Sequence, residues 1–275
     1  MKTEHILARV HEILALSDEP TTTRTELAKL ADDLAAQVRA EIAAATGAGN
    51  AAKTISAMLK QSRKETSRTA LHYGWIDAKG RQCFCDGYRA YRLTEHIPTE
   101  DRPADAGTPV DLDKIFPEIT PSEYYPLPLP SYADVKTRIA LERAENGRRA
   151  NPLWDFGDAA PTVNAAYLLD VLAVLPDAAE AYIRRGAAGI GSPIFIKGTR
   201  GEVLLLPVRC QRYSEKTAAA AKVETETNAA EIARREDEKR RRTLLDLLQC
   251  YRDELERNPE YALTPDEFAH IARFA

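Results

Sequence analysis

The chain has 275 residues, 44% hydrophobic and 29% charged, with a formal net charge of −4 and a sequence pI near 5.9. That balance is too apolar for wholesale disorder, and the length suits one large domain or two ordinary ones. It offers no global attraction to nucleic acid or an anionic membrane, so such a contact has to come from a local patch, and no run reaches the roughly 20 apolar residues of a membrane span.

The first residues, MKTEHILARVHEILALSDEP, carry acids and no apolar block before a small-residue cleavage site, so a signal peptide is not expected. Ile6, Leu7, Val10, Ile13 and Leu14 instead mark an amphipathic helix over 3–16. Pro20 interrupts it. A second helix is expected from about Arg24, with Thr23 and Glu26 at capping-box spacing and a stripe of Leu27, Leu30, Leu34, Val38 and Ile42. Gly47 and Gly49 end it, and residues 1–47 read as a helical hairpin. One narrow stripe per helix implies packing on something else.

From Ala51 the composition changes. The helix AAKTISAMLKQS leads into TALHYGWID, a strand pattern, then a turn at Lys79-Gly80, the strand RQCFC, an Asp86-Gly87 turn and the strand in YRAYRL. Cys83 and Cys85 fall on one face of their strand. No second Cys or His pair stands at ligand spacing, so they read as reduced thiols and neither metal nor cofactor is expected. Residues 97–162 are irregular, with Pro126, Pro128 and Pro130, apart from a helix at about 132–146. The pattern there fits edge strands, an extended connection or an insertion equally. Trp154 and Phe156 read as buried aromatics.

The helix-then-strands pattern of residues 51–93 returns after Pro161. Thr162 is a candidate cap for the helix NAAYLLDVLAVLP, followed by strands at EAYIRR, PIFIKG and EVLLLPVR, the first two separated by the Gly-rich turn GAAGIGS. Residues 51–93 and 163–209 thus share one plan, helix then three strands. From Ser214 the chain is helical and charged. Its first half is too polar to bury a face, and its second half carries a docking stripe of Leu244, Leu245, Leu248, Tyr251 and Leu255. Thr264-Pro265-Asp266-Glu267 starts a last short helix through a capping box.

Little here reads as catalytic. The five histidines are scattered, GAAGIG lacks the ending of a phosphate loop, and turn formation accounts for Asp86. Basic residues are more suggestive. Lys53, Lys60 and Lys64 fall at i, i+7 and i+11 on one face, opposite Ile55, Met58 and Leu59, and Arg63 and Arg68 extend the strip. Such a row can contact successive phosphates without reading sequence. The run RREDEKRRR at 234–242 interleaves acids with its bases and reads as a salt-bridged helix.

Two islands resemble a known family. The segment from Asn164 through Arg209, with Tyr167, Leu168, Leu172, Pro193, Ile194, Gly201, Leu205, Pro207 and Val208, is similar to the closing segment of bacterial sliding clamps, the DNA polymerase III beta subunit. CDGYRAYRL resembles the family's "T-D-G-x-R" strand through Asp86, Gly87 and Arg89, with Cys85 in place of Thr and Tyr91 where a small residue is usual. The resemblance implies a non-catalytic α+β protein. It would have one clamp-like domain of two α-β-β-β units at 48–210, with helices facing duplex DNA and sheets outside. It implies DNA contacts at Lys53, Lys60, Arg63, Lys64 and Arg68. It also implies a partner-peptide surface at Leu205, Pro207, Val208 and Arg209, and a role with replication proteins. The chain departs from the family in three ways. It has room for one such domain where a clamp subunit has three, the helix at 164–175 has no Lys or Arg, and about 65 residues follow Arg209. The helical region 211–275 therefore stands where the family chain ends. The expectation is a cytoplasmic, oligomeric sliding-clamp-like protein that binds duplex DNA or recruits replication proteins. The alternative is an interaction module that keeps the fold without a ring or DNA, using its helical ends to bind a partner or itself.

Overall fold

The computed structural model describes residues 6–8, 10–12, 21–65, 67–257, 264, 266 and 267. Most of the helix expected over 3–16 and of the last short helix lies outside them; residues 6–8 and 10–12 are helical. Two helices come first, α1 (Thr21–Ala45) and α2 (Gly49–Ser62). Seven strands build the main sheet: β1 (Trp75–Ile76), β2 (Gln82–Cys85), β3 (Arg89–Leu93), β4 (Tyr124–Pro128), β7 (Glu180–Arg184), β8 (Ile194–Gly198) and β9 (Gly201–Leu205). A separate hairpin pairs β5 (Leu153–Asp155) with β6 (Thr162–Asn164). Helices α3 (Tyr132–Asn146), α4 (Ala165–Val174) and α5 (Tyr213–Arg257) complete the chain. The result is a mixed α/β protein whose main sheet is antiparallel at every pairing, in the order β1-β2-β3-β9-β8-β7-β4.

The order puts β3 beside β9 at the centre, with Arg89 opposite Leu205 and Leu93 opposite Gly201. Strand alternation sends successive side chains to opposite faces. Phe84, Tyr91, Leu93, Ile194, Ile196, Val203 and Leu205 point to a core shared with α2, α3 and α4. Cys83, Ala90, Phe195 and Leu204 point the other way, onto Leu112, Phe116 and Tyr124. Both faces are covered, which explains why these strands read as nearly continuous apolar runs. At the β3–β9 junction a Cβ on Gly201 would stand 2.4 Å from the Arg92 carbonyl oxygen and 2.7 Å from the Leu93 Cα, at a backbone φ of 151°. Only glycine lets these two strands close.

Several expectations change. TALHYGWID forms a short 3-10 turn at Thr69–Leu71 and only two strand residues, and Gly74 between them sits where a Cβ would strike the Phe84 ring at 2.4 Å. Region 97–162 supplies the edge strand β4, the β5–β6 hairpin and the loop that carries Leu112 and Phe116 under the sheet. Asn164, not Thr162, caps α4: its side chain accepts from the backbone N–H of Ala166 at 2.9 Å and of Tyr167 at 3.3 Å. Thr162 opens β6 instead. Helix α1 begins at Thr21, placing Thr23 inside its first turn. Its expected apolar stripe packs only in part: Leu27, Leu34 and Val38 are half-buried, Leu30 and Ile42 are 48% and 42% exposed, and Ala31 and Ala43 are buried. Ala43 of α1 joins the core with Ala51, Ala52 and Ile55 of α2.

The C-terminal helix also reverses its expected roles. Lys216 and Ala220, in the polar half, are buried, and α5 packs there on the 3-10 turn Ala187–Gly191. Residues 222–243 are exposed without interruption, and Leu245 and Leu248 of the expected docking stripe are 65% and 38% exposed. Among the described residues, no helix is long and apolar enough to cross a membrane.

Candidate interaction surfaces

Helix α2 is amphipathic in the expected sense: Ile55, Met58 and Leu59 are buried while Lys53 and Lys60 are exposed. It ends at Ser62, so Lys64 lies in the following turn and only Lys53 and Lys60 are held by helical geometry. With α1 they line a cleft of about 600 Å³ that also receives Arg39, Arg63 and Glu100. Arg63 does not extend the strip freely. Its guanidinium pairs with Glu100 at 2.5 Å, donates to the His72 carbonyl at 3.3 Å and lies 4.7 Å over the Tyr73 ring. Arg68 is drawn to the β2–β3 turn, its Nη1 standing 2.7 Å from where a Cβ on Gly87 would be. Lys53 and Lys60 therefore share one cleft, Lys64 lies beyond the helix end, and Arg63 and Arg68 are turned to other work. No acidic side chain pairs with those three lysines among the described residues.

The motif residues of the resemblance meet at a second place. Asp86 Oδ1 accepts from the backbone N–H of Tyr88 at 2.8 Å and of Arg89 at 2.7 Å, folding the β2–β3 turn. Gly87 follows with φ 88°, as such a turn requires. Arg89, 3% exposed, donates to Asp86 Oδ2 from Nε at 3.0 Å and from Nη2 at 2.9 Å, pairs with Asp170 of α4, and lies 4.2 Å from the Tyr167 ring centroid. Burial lifts the Asp170 carboxyl above its usual range, against the pull of Arg89. The cluster ties the β2–β3 turn to α4 and leaves Asp86 engaged as a turn and ion-pair acceptor, a structural office for the one carboxylate the sequence raised as catalytic. Sequence alone gave no sign that Asp170 completes it.

The expected partner surface divides. Leu205 is fully buried in the core and has no face to offer a partner. Beyond it the backbone leaves the sheet: Leu206 N–H donates to Tyr88 O at 2.9 Å and Val208 N–H to Thr162 O at 2.8 Å. Pro207, Val208 and Arg209 line a hollow of about 190 Å³ with Ile190, Leu206 and Tyr213. Tyr213, the first residue of α5, fills part of this hollow, with the Arg209 guanidinium 5.4 Å from its ring. The C-terminal helix is thus seated against the surface that the resemblance assigns to partner peptides.

What seats it is Lys216, which the sequence concealed in a polar run. Its side chain is 1% exposed, and its ammonium donates to Asp155 and to the carbonyl oxygens of Gly157 and Ala160. Three acceptors match the three protons of an ammonium, so this buried charge is satisfied. Arg212 adds an ion pair to Asp158 at 2.7 Å.

The thiols make a poor ligand set. Burial pushes the Cys83 thiol up to about 12, aided by Asp77, which makes it a poor nucleophile. Among the described residues no cluster of His, Cys, Asp and Glu could hold a metal ion.

No family model matches the chain, and no curated protein matches it either. Among solved structures it is similar to the beta clamp of Helicobacter pylori, determined with a bound DNA ligase peptide, at 17% identity and a TM-score of 0.27. The match covers 47% of this chain and spans only 40% of the length of that clamp.

Proposed function

We propose that the chain is a non-catalytic, clamp-like protein-interaction module that works as an open unit, with a body at residues 48–210 made of two α-β-β-β units related across the β3–β9 junction. The resemblance of the Asp86–Arg89 and Asn164–Arg209 islands to sliding clamps supports the body's assignment. The observation that carries the open-unit reading is the chemistry of the β4 edge. Tyr125 and Leu127 face β7, as the flanking bonds Arg185 N–H to Glu123 O (2.7 Å) and Leu129 N–H to Ala179 O (2.8 Å) require. The outward positions are Tyr124, Pro126 and Pro128. The Tyr124 N–H donates to Thr120 O at 2.9 Å, and the two prolines have none. This edge offers no free N–H to another strand, so one sheet cannot extend into a second through it. The rest of the molecule fits a module that recruits: α5 starts at the Pro207–Arg209 hollow, flanks a cleft with Tyr125 and Leu127 as far as Arg235, and carries the exposed Leu245 and Leu248 beyond it.

The test is topological. The chain is incubated with closed circular and with linear duplex DNA and washed at high salt. The open-unit reading expects no retention on either. Retention on circles that is lost on linearisation would establish a closed ring and overturn it.

A second reading, contact with duplex DNA, is favoured by the three exposed lysines without acidic partners at 53, 60 and 64. It expects sequence-independent binding at low salt that weakens steeply as salt rises. Binding that survives Lys53/Lys60/Lys64→Glu, or its absence at low salt, removes this reading.

A further inference from the structure

The cleft between α1 and α2 has two walls of different chemistry. Ala36, Arg39, Ala40 and Ala43 come from α1 at spacings of three, one and three residues, which is one face of that helix. Lys53, Lys60 and Arg63 come from α2 and its C-cap at spacings of seven and three, again one face. The alanine wall carries methyl groups and the other wall carries charge. The small side chains leave about 600 Å³ between the helices, within the roughly 300–1,000 Å³ that small-molecule sites occupy.

Charge identifies the class of ligand. Arg39, Lys53, Lys60 and Arg63 line the cleft against a single acid, Glu100. The Glu100 carboxylate lies 2.5 Å from Arg63 and 4.0 Å from Arg39, so an anion of the chain itself already occupies the arginine end. Lys53 and Lys60 hold no ion pair among the described residues. Arg63 does not depend on Glu100 for its place, because it also donates to the His72 carbonyl and lies over the Tyr73 ring. The Glu100 side chain is 47% exposed, so a more highly charged anion displaces it without opening the core. Lys53 and Lys60 stand two turns apart, about 10 Å along the axis. One phosphate is too short to bridge them, whereas a chain of phosphates spans that distance and meets both ammonium groups. We propose that the α1–α2 cleft binds a nucleoside polyphosphate, with its phosphates across Lys53 and Lys60 toward Arg39 and Arg63 and its base against Ala36 and Ala40. A volume that holds one nucleotide does not hold a duplex, so this ligand is distinct from duplex DNA, and the site does not depend on the open-unit reading.

The experiment is calorimetry on the full chain with three probes: magnesium-free ATP, inorganic triphosphate and adenosine. ATP is expected to bind, triphosphate to bind more weakly, and adenosine to give no heat. Lys53→Ala with Lys60→Ala should weaken ATP roughly twentyfold, and both positions are exposed, so the packing beneath them is kept. Glu100→Gln should tighten ATP roughly fivefold by removing the competing carboxylate, whereas a purely structural role for Glu100 would leave or lower the affinity. Ala40→Leu, at an exposed position on the alanine wall, should weaken ATP and leave triphosphate unchanged. Triphosphate that binds as tightly as ATP would overturn the nucleotide assignment. ATP affinity that survives the double lysine replacement would overturn the site. Binding of a duplex without binding of ATP would overturn the proposal in favour of duplex contact. None of these outcomes bears on the open-unit reading, which stands or falls on retention by circular DNA.

Discussion

Lys216 and Lys222 sit less than two turns apart on one helix, yet the first side chain is 1% exposed and the second 78%. Up to that break the helix is held by burial; after it the helix is held by local ion pairs, and one side of Val223–Arg235 flanks a cleft of about 870 Å³ against Tyr125, Phe156 and Arg185. The same residue type serves both because an ammonium is tolerated inside only where acceptors wait for it, and the β5–β6 hairpin supplies them. Helical propensity alone therefore says little about which part of a long polar helix is docked. The partners brought by distant segments decide it.

The contrast can be broken most severely in the body. Leu205 is fully buried between β3, β8 and the helices, so Leu205→Ala should cost about 3 kcal/mol in a denaturant titration. Next comes the joint. Lys216→Met removes the donor to Asp155 and two carbonyls and should cost roughly 2 kcal/mol. It should also free residues 213–224, read as loss of amide-exchange protection there with the sheet still protected.

A smaller effect is expected with pH. Hydrogen bonds from Lys79 and Arg81 hold the Asp113 carboxyl down at about 2, and the Thr199 backbone N–H lowers Asp177. A depressed carboxylate stabilises above its unfolded value, near 3.8, and that stability is lost as pH falls toward the folded value. Body stability should therefore fall between about pH 5 and pH 2, and Asp113→Asn should flatten that part of the curve without altering stability's dependence on pH above it. The smallest effect belongs to the arm, where Leu245→Ala should change body stability by less than about 0.5 kcal/mol. A larger loss would mean that the arm is docked after all.

How far the sequence carried depends on where the determining partner lies. Strands β2, β3, β8 and β9 were legible because their signals are local: alternation, β-branched residues and a turn at Asp86-Gly87. The Asn164 cap and the Tyr167 ring were visible as motif residues, though their roles emerged only when Arg89 was seen against Tyr167 and Asp170. The α1 and α5 stripes are covered only in part: Leu27, Leu34, Val38, Leu244 and Tyr251 are half-buried, whereas Leu30, Ile42, Leu245 and Leu248 are exposed. Apolar periodicity reports that a face can be buried, not that anything covers it. In α1 the alanines meet α2, and in α5 a lysine outdoes five apolar residues because its acceptors lie some sixty residues upstream. The row of five cations thinned to three lysines because Glu100, in the irregular middle, claims Arg63.

The central claim is that the body is open. It is tested most directly by the solution mass of the full chain, measured by light scattering across a wide range of concentration. With the β4 edge sealed by Pro126 and Pro128, a single-chain mass is expected throughout. A stable multimer would show that the bodies join through a surface of their own, and would contradict the open unit.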